Sequence, residues 1–347
     1  MDKEEIIAWL REEDAQSLEM LWHRADEVRH VHVGDQVHLR GLIEISNICA
    51  RHCGYCGLRV DNRKIGRYRM KAEEIMTCVQ QAVDYGYGTV VMQSGEDYGI
   101  TRDEMAGMIR RIKEETKLAA TLSFGERPDE DLMAWREAGA DRYLLRFETS
   151  NRTLYDGIHP PLGDKHSDRF MILETLKKLG YETGSGVMVG IPGQTYEDLA
   201  QDILIFREWD LDMIGVGPYL PHPETPLGQN FKELCAPAGE QVPNSELMTY
   251  KVVALTRLVC PEANIPSTTA LATLNRQEGR ELGLMRGANI VMPNLTPLKY
   301  RVMYEIYPNK ACIHETSLEC ASCMNRRILS IGRTLGTGQG ARQTSVI

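Results

Sequence analysis

The chain has 347 residues, of which 42% are hydrophobic and 26% are charged, and its formal net charge is −9. A chain of this length and composition can bury a substantial hydrophobic core, so we predict an ordinary globular protein. The acidic balance argues against a nucleic-acid partner, because proteins that bind nucleic acids usually present a basic face.

The N-terminal segment is predicted to be helical, because apolar residues such as Ile6, Leu10, Leu18 and Leu21 recur there at helical spacing. This segment lacks the apolar stretch of a signal peptide, and no later run of the chain is long and apolar enough for a membrane span. We therefore expect a cytoplasmic protein without a membrane partner. In a reducing compartment, its nine cysteines are better explained as metal ligands and buried side chains than as disulfides.

Short apolar runs then alternate with amphipathic helical patterns such as KAEEIMTCVQQAVDYG. The eight candidate strands, in chain order, are VHLRGLIEIS, GTVVMQS, LAATLSF, DRYLLRFE, TGSGVMVGI, DMIGVGP, ANIPST and ANIVMP. This alternation predicts an α/β fold, a complete (βα)8 TIM-type barrel, with an open parallel sheet as the alternative.

No linker divides the chain, and we predict three consecutive segments. Residues 1–35 form an N-terminal helical segment, residues 36–310 form the barrel, and residues 311–347 form a C-terminal segment. The glycine-rich stretch GRTLGTGQGAR near the end lacks the Gly-Lys-Ser/Thr ending of a phosphate loop. We expect it to be a mobile tail.

Strand parity predicts which side chains point into the barrel. In the third and fourth strands these are Thr121, Ser123, Arg146 and Glu148, whereas Phe147 points toward the surrounding helices. The fifth and sixth strands send inward Gly184, Gly186, Met188, Gly190, Met213, Gly215 and Gly217. A charged pair inside a barrel is costly unless it is compensated, which favours a ligand cavity. The alternative is that Arg146 and Glu148 form a simple structural ion pair.

Three cysteines follow the first strand in the stretch SNICARHCGYCGLR. Cys49, Cys53 and Cys56 have the spacing C-x3-C-x2-C, at the end of a strand where barrel enzymes keep their active sites. A structural zinc site needs four ligands, and His52 lies between two of the cysteines. Three thiolates and an open place fit a [4Fe–4S] cluster better than zinc or a chance group of free thiols.

This motif, with an aromatic residue before its last cysteine, resembles that of the radical S-adenosylmethionine (SAM) superfamily. Further stretches resemble the FeFe-hydrogenase maturases of the HydE type, among them QSGED, DRYLLRFETSN, LGYETGSGVMVGIPGQT and IPSTTA. The resemblance implies that a [4Fe–4S] cluster and SAM are the cofactors. It also implies an enzyme that generates a 5′-deoxyadenosyl radical, which would break the cysteine C–S bond of a cysteine-bound iron carbonyl cyanide complex during assembly of the hydrogenase H-cluster.

The resemblance also implies roles for individual residues. Cys49, Cys53 and Cys56 would be both the cluster ligands and the catalytic centre, and Ser94 replaces the first glycine of a usual Gly-Gly-Glu motif. The residues that would bind SAM are Tyr55, Ser94, Gly95, Glu96, Ser123, Arg146, Glu148, Arg169, Met188 and Met213. The candidate substrate contacts are Thr121, Thr268, Thr269 and Tyr304.

A second group of cysteines, Cys312, Cys320 and Cys323, has the spacing C-x7-C-x2-C. Some maturases of this type carry an auxiliary iron–sulfur cluster at such a motif and others lack it, so the group is a candidate second cluster site. Three unligated thiols are the alternative, and His314 is a further candidate ligand. We do not expect the radical chemistry to depend on this group.

The expected partners are a small-molecule substrate in the barrel cavity, an electron-donor protein and other hydrogenase maturases. Three alternative functions stay open from the sequence. A methylornithine synthase would share the barrel and many of the motifs. A biotin synthase would need further cysteines on the strands, and a non-catalytic iron–sulfur carrier would have little use for an inward arginine and glutamate.

Overall fold

The computed structural model describes residues 1–163 and 167–343. Alternating short strands and helices make up most of the described chain. The strands are β1 (Gln36–Ser46), β2 (Thr89–Ser94), β3 (Ala119–Ser123), β4 (Arg142–Leu144), β5 (Glu182–Val189), β6 (Met213–Pro218), β7 (Ile290–Val291) and β8 (Thr334–Leu335). The helices are α1 (Lys3–Arg11), α2 (Ala15–Val33), α3 (Ala72–Asp84), α4 (Arg102–Glu115), α5 (Asp129–Glu137), α6 (Arg152–Ile158), α7 (Arg169–Lys178), α8 (Tyr196–Glu208), α9 (Pro226–Gln229), α10 (Glu246–Val259), α11 (Thr269–Leu274), α12 (Gly279–Met285), α13 (Leu298–Arg301) and α14 (Ser317–Ser330).

The strands form one parallel sheet in the order β6-β5-β4-β3-β2-β1-β7, and β8 also pairs with β1. The predicted α/β fold with a parallel sheet is therefore correct. Two single bridges, Met213 with Asn264 and Pro266 with Ile290, lie between the strands at the two ends of this order, β6 and β7.

The seventh and eighth candidate strands differ from the prediction. The run ANIPST makes only those two bridges, because Pro266 has no N–H to donate to a ladder. The run ANIVMP contains β7, which is only two residues long. The last strand, β8, lies in the glycine-rich stretch near the end of the chain, where no strand was predicted.

The expectation of a mobile tail is wrong for the described residues of that stretch. After β8, the backbone crosses the ends of the strands at which they begin. Arg142 Nη2 donates to the carbonyl oxygen of Gln339 at 3.1 Å, and Arg40 Nη2 donates to that of Gly340 at 2.9 Å. Both arginines are buried. The tail therefore covers the end of the sheet at which the strands begin, which we call the floor. Its carbonyl groups are held there because they accept hydrogen bonds from two buried guanidinium groups.

The hydrophobic core lies between the sheet and the helices around it, and the N-terminal helices belong to it. Ile6 and Leu10 of α1 are buried, and so are Leu18 and Leu21 of α2, as their helical spacing predicts. Phe147 packs against Phe170 and Phe206 of the helix layer, so its predicted outward direction is correct. Among the described residues, no helix has the length and apolar character needed to cross a bilayer.

Candidate functional site

The cysteine loop, residues 47–57, follows β1 directly, and three other parts of the chain hold it. Cys53 is buried, whereas Cys49 and Cys56 are partly buried. The backbone bonds that fix the loop run from Ala50 N to Glu96 O at 3.0 Å, from Gly54 N to Ile158 O at 2.7 Å, and from Gly57 N to Ile306 O at 2.9 Å. The loop is therefore held by the end of β2, by α6 and by the segment before the second cysteine group.

The three thiols fit an iron–sulfur cluster better than a single ion. In the described parts of the chain, no three His, Cys, Asp or Glu side chains are close enough together to hold one metal ion. A four-iron cluster does not require such convergence, because each thiolate binds a different iron. Burial raises the pKa of Cys49 and Cys53, and it raises that of Cys56 to about 12. These thiols therefore need a cationic metal centre to become thiolates.

Ser94 ends β2, and Gly95 and Glu96 follow it and lie against the cysteine loop. A Cβ on Gly95 would be 2.3 Å from Ile48 O and 2.8 Å from Cys49 Cβ, so only glycine allows this approach. The Glu96 carboxylate is buried and already accepts three hydrogen bonds. They come from Arg51 Nε at 2.6 Å, from the Tyr98 hydroxyl at 2.6 Å, and from the Glu126 backbone at 3.0 Å. Glu96 thus fixes the loop.

Arg146 and Glu148 follow β4 and form an ion pair, with Nη2 and Oε2 3.1 Å apart. Glu148 has a φ of 64°, in the left-handed region that a residue other than glycine seldom adopts. Within the described chain, its Oε2 accepts no well-aligned hydrogen bond although it is buried. Left-handed strain and a buried acceptor whose one close partner is an ion-paired arginine are together typical of a binding site. The alternative of a purely structural ion pair accounts for the contact with Arg146 but gives no reason for the left-handed φ of Glu148.

Arg169 begins α7 and reaches the same region. Its Nη1 donates to Arg146 O, and its Nε lies 3.1 Å from Glu126 Oε1. Tyr55, partly buried, packs against a small hydrophobic cluster that contains Met188 and Leu227, and the Met188 backbone N–H donates to Glu148 O at 3.2 Å. Ser123, at the end of β3, is half-buried. These predicted SAM residues therefore gather beside the cysteine loop.

Met213 does not join them. It is the first residue of β6, and its sulfur accepts a hydrogen bond from Arg40 Nη1 at 2.9 Å near the floor of the sheet. Thr121, a predicted substrate contact, borders the same floor cavity as Met213 and Arg40. The floor is at the opposite ends of the strands from the cysteine loop. Strand parity gave the correct face for both residues, but it does not report depth along the strand.

The other predicted substrate contacts are already engaged. Thr268 caps α11, with its Oγ1 accepting from Leu271 N, and Thr269 Oγ1 accepts weakly from Arg280 Nη2 at 3.4 Å. The Tyr304 hydroxyl accepts from Gln93 Nε2 at 3.1 Å. Thr268 lies beside Gly217 at the end of β6, whereas Tyr304 contacts Gln93 of β2, and neither residue borders the cavity that Thr121 lines.

A buried network behind the cysteine loop was missed by sequence reasoning. Glu126 follows β3 and accepts hydrogen bonds from four side chains. These are Arg51 Nη2 at 2.7 Å, His159 Nε2 at 2.9 Å, Ser167 Oγ at 2.5 Å, and Arg169 Nε at 3.1 Å. Burial opposes ionisation of Glu126, but the bond from His159 and the charge of Arg169 hold its pKa below its usual range. The position of Glu126 just after a strand was the one feature of the sequence that could have indicated a role at the site.

His159 connects this network to the first cysteine group. Its Nδ1 lies 3.1 Å from Cys53 Sγ, and its side chain is buried. Burial, assisted by the charge of Arg169, lowers the pKa of His159 to about 4. The residue stands just after α6 in the stretch GIHPP, where nothing in the sequence indicates contact with Cys53.

The second cysteine group is more loosely organised. Cys312 lies on a loop with a φ of 60°, whereas Cys320 and Cys323 lie one turn apart on α14. A hydrogen bond from Cys320 lowers the pKa of Cys312 to about 6. Arg280 Nη2 is 3.9 Å from Cys312 Sγ, and Arg327 Nε is 3.4 Å from Cys323 Sγ. Cys312 and Cys320 are therefore in contact, and one arginine lies beside Cys312 and another beside Cys323.

Comparison with known proteins identifies the family. The Radical SAM superfamily model matches residues 43–204. The "[FeFe] hydrogenase maturase subunit HydE" of Thermotoga maritima is 46% identical over 325 residues, which cover 94% of this chain and 89% of that protein. The chain belongs to the HydE family of radical SAM enzymes. It is therefore an enzyme of a family that uses a [4Fe–4S] cluster and SAM.

Other relatives are more distant. The 3-methylornithine synthase of Methanosarcina acetivorans is 29% identical over 293 residues, covering 84% of this chain and 79% of that protein. The crystal structure of methylornithine synthase (PylB) superposes with a TM-score of 0.79 at 25% identity, over 96% of this chain and 94% of that one. The structure of HydG, a maturase of the [FeFe]-hydrogenase, superposes with a TM-score of 0.74 at 18% identity, over 96% of this chain and 71% of that one. HydG therefore shares the fold.

Proposed function

We propose that Cys49, Cys53 and Cys56 hold a [4Fe–4S] cluster whose open iron binds SAM. The observation that carries this proposal is Glu148, whose φ is left-handed and whose buried Oε2 has, among the described residues, no hydrogen bond beyond its ion pair with Arg146; it lies with Arg146 and Arg169 beside the cysteine loop. When bound and reduced, the cluster supplies the single electron that cleaves the sulfonium C–S bond of SAM and releases a 5′-deoxyadenosyl radical.

The residues around the loop bind and orient SAM in this proposal. Arg146 and Arg169 pair with its carboxylate, because guanidinium groups match carboxylate geometry. Glu148 Oε2 accepts from the ribose or faces the sulfonium. The Glu96 carboxylate has its own donors, so Ser94, Gly95 and Glu96 offer backbone atoms to the amino group while the Glu96 side chain orients the loop. Tyr55, Ser123 and Met188 line the remaining wall. Met213 is not part of it, since it lies near the floor.

We further propose a role in hydrogenase maturation, acting on a cysteine-bound iron carbonyl cyanide complex. The 46% identity to the Thermotoga maritima maturase supports it. Thr268, Thr269 and Tyr304 would line the substrate side of the cavity, with Thr121 at its deepest point. The partners would be an electron-donor protein and other maturases in the cytoplasm. A second cluster at Cys312, Cys320 and Cys323 remains part of this proposal.

The proposed architecture is a complete barrel over residues 36–310, with residues 1–35 as a helical segment and residues 311–347 as a C-terminal extension. The bridges of Met213 with Asn264 and of Pro266 with Ile290 support closure, because they join β6 to the segment 264–266 and that segment to β7. A closed barrel would keep water away from the radical.

A second candidate is methylornithine synthesis, which the TM-score of 0.79 to methylornithine synthase supports. One anaerobic experiment separates the candidates. The reconstituted protein is reduced with dithionite and mixed with SAM, and 5′-deoxyadenosine is quantified with no substrate, with the cysteine-bound iron complex, and with lysine. We expect the iron complex to accelerate 5′-deoxyadenosine formation and lysine to have no effect. Acceleration by lysine alone would replace the maturase proposal, and a full cluster that yields no 5′-deoxyadenosine under all three conditions would contradict radical chemistry.

A further inference from the structure

Glu126 occupies a junction that the proposed chemistry does not itself use. Its carboxylate accepts from four side chains that belong to three different parts of the chain. Arg51 lies in the cysteine loop, His159 follows α6, and Ser167 and Arg169 lie at the start of α7. The Glu126 side chain is only 7% exposed, so solvent does not compete for these bonds.

The four bonds connect the cysteine loop to the SAM arginines. On one side, Arg51 bridges Glu126 and Glu96, and His159 reaches Cys53 Sγ at 3.1 Å. On the other side, Arg169 also donates to the carbonyl oxygen of Arg146. A single carboxylate therefore sets the distance between the loop that would carry the cluster and the guanidinium that would receive the SAM carboxylate.

The two arginines depend on Glu126 to different degrees. Arg51 has a second carboxylate, Glu96, at 2.6 Å. For Arg169, Glu126 is the only carboxylate at ion-pair distance in the described residues. A buried guanidinium that loses its counterion must move or recruit another partner. Removing the charge of Glu126 therefore leaves Arg169 with no carboxylate partner in the described chain, bonded to the Arg146 carbonyl oxygen, while Arg51 keeps its ion pair with Glu96.

We propose that Glu126 is a positioning residue, which holds Arg169 and the cysteine loop in the relative orientation that SAM binding requires. Glu126 does not contact SAM and transfers no proton or electron. The inference rests on the proposed function, because it presumes that Arg169 receives the SAM carboxylate. It adds a determinant of cofactor affinity that lies behind the site and not within it.

The test compares Glu126→Gln, which keeps the size of the side chain, with Glu126→Asp, which keeps the charge but shortens the reach. Glu182→Gln is the matched control. Glu182 also pairs with a buried arginine, Arg142, at 2.7 Å, but it lies at the floor end of β5. Each reconstituted protein is assayed for iron and sulfide, and SAM is titrated against the EPR signal of the reduced cluster. The KM for SAM and kcat for 5′-deoxyadenosine are measured separately.

We expect Glu126→Gln to retain the cluster and to weaken SAM binding about tenfold or more, the usual consequence of losing a charged hydrogen bond. The KM should rise more than kcat falls, and Glu182→Gln should match the wild type. Glu126→Asp should lie between the two. A SAM affinity within about twofold of wild type in Glu126→Gln, at full iron content, would overturn the proposal.

Two further outcomes also decide the question. If Glu182→Gln weakens SAM binding as much as Glu126→Gln does, the effect is general destabilisation and the proposal is wrong. If neither Glu126 variant retains a cluster, Glu126 supports the loop itself and is not a determinant of SAM affinity. The wild-type control separates a failure of the proposed function from a failure of the proposed role of Glu126. A wild-type protein that holds no cluster, or that does not bind SAM, contradicts the proposed function before any variant is considered.

Discussion

The two cysteine groups have similar compositions but very different surroundings. Cys49, Cys53 and Cys56 lie on a loop that backbone hydrogen bonds fix on three sides, and burial raises the pKa of each thiol. The second group combines one loop cysteine with two on a helix, and the pKa of Cys312 is lowered to about 6. Each group has one buried and two partly buried cysteines, so neither their spacing nor their burial distinguishes the fixed loop from the group that contains a low-pKa thiol.

The largest difference is expected when one ligand of each group is removed. Cys56→Ala should lower 5′-deoxyadenosine formation by more than about a hundredfold, because loss of a ligand exceeds the usual effect of losing a group that only supports one. Cys323→Ala should leave it within about twofold of wild type, as for a change outside the active site. Iron content and 5′-deoxyadenosine measure both effects. Equal losses of 5′-deoxyadenosine formation in the two variants would contradict the prediction that only the first group is needed for radical formation.

The arginines beside each group provide the second comparison. Arg169→Met should weaken SAM binding about tenfold to a hundredfold, because it removes a buried charged hydrogen-bond donor. Arg327 lies beside Cys323 and pairs with Glu281, so Arg327→Met serves as the control and should bind SAM normally. Equilibrium dialysis of SAM against the reconstituted variants gives the two dissociation constants. Normal SAM binding by Arg169→Met would remove this arginine from the SAM site.

Thiol reactivity in metal-free protein sharpens the contrast. Cys312 should be alkylated by iodoacetamide several-fold faster at pH 7 than an ordinary thiol. The rate should rise as the pH increases through about 6, because the thiolate forms as the proton is lost. Cys78 is buried and its pKa is raised to about 12, so it should react only after unfolding. Mass spectrometry of peptides after timed labelling identifies each site. An alkylation rate of Cys312 that rises only above pH 8 would contradict the lowered pKa of this thiol.

The smallest effect concerns the helix that carries Cys320 and Cys323. Thr316 caps α14, and its side chain accepts from Glu319 N at 3.2 Å. Thr316→Ala should lower the free energy of unfolding by about 1 kcal/mol, the usual cost of losing an N-cap. Denaturant unfolding of the metal-free protein measures this cost. Among the described residues, no hydrogen bond joins Cys49, Cys53 or Cys56 to α14, so 5′-deoxyadenosine formation should stay unchanged. A parallel loss of activity would show that the two groups are coupled.

Sequence reasoning succeeded where a local pattern determines a structural feature. The alternation of strands and helices predicted the parallel α/β fold, and period-2 parity predicted the outward direction of Phe147 correctly. The family motifs led to the correct superfamily and to the HydE family.

The failures have a different physical origin. The resemblance implied a SAM contact for Met213, and parity gave the face of its strand but not the depth at which its sulfur meets Arg40. The network of Glu126, His159 and Cys53 joins residues from separate loops, and no periodic pattern encodes such a contact. The glycine-rich tail has no hydrophobic alternation, and the floor holds it through carbonyl groups that every sequence has.

The tail on the floor also constrains how the chain folds. The hydrogen bond from Arg40 Nη2 to the carbonyl oxygen of Gly340 joins residues that are 300 positions apart in the sequence. Contacts of such long range form slowly, because most of the chain must be ordered before they close. Folding intermediates would therefore expose the lower ends of the strands and the apolar interior, where a second chain can associate. We expect refolding yield to fall with increasing protein concentration, and we expect the final slow phase to report docking of the tail.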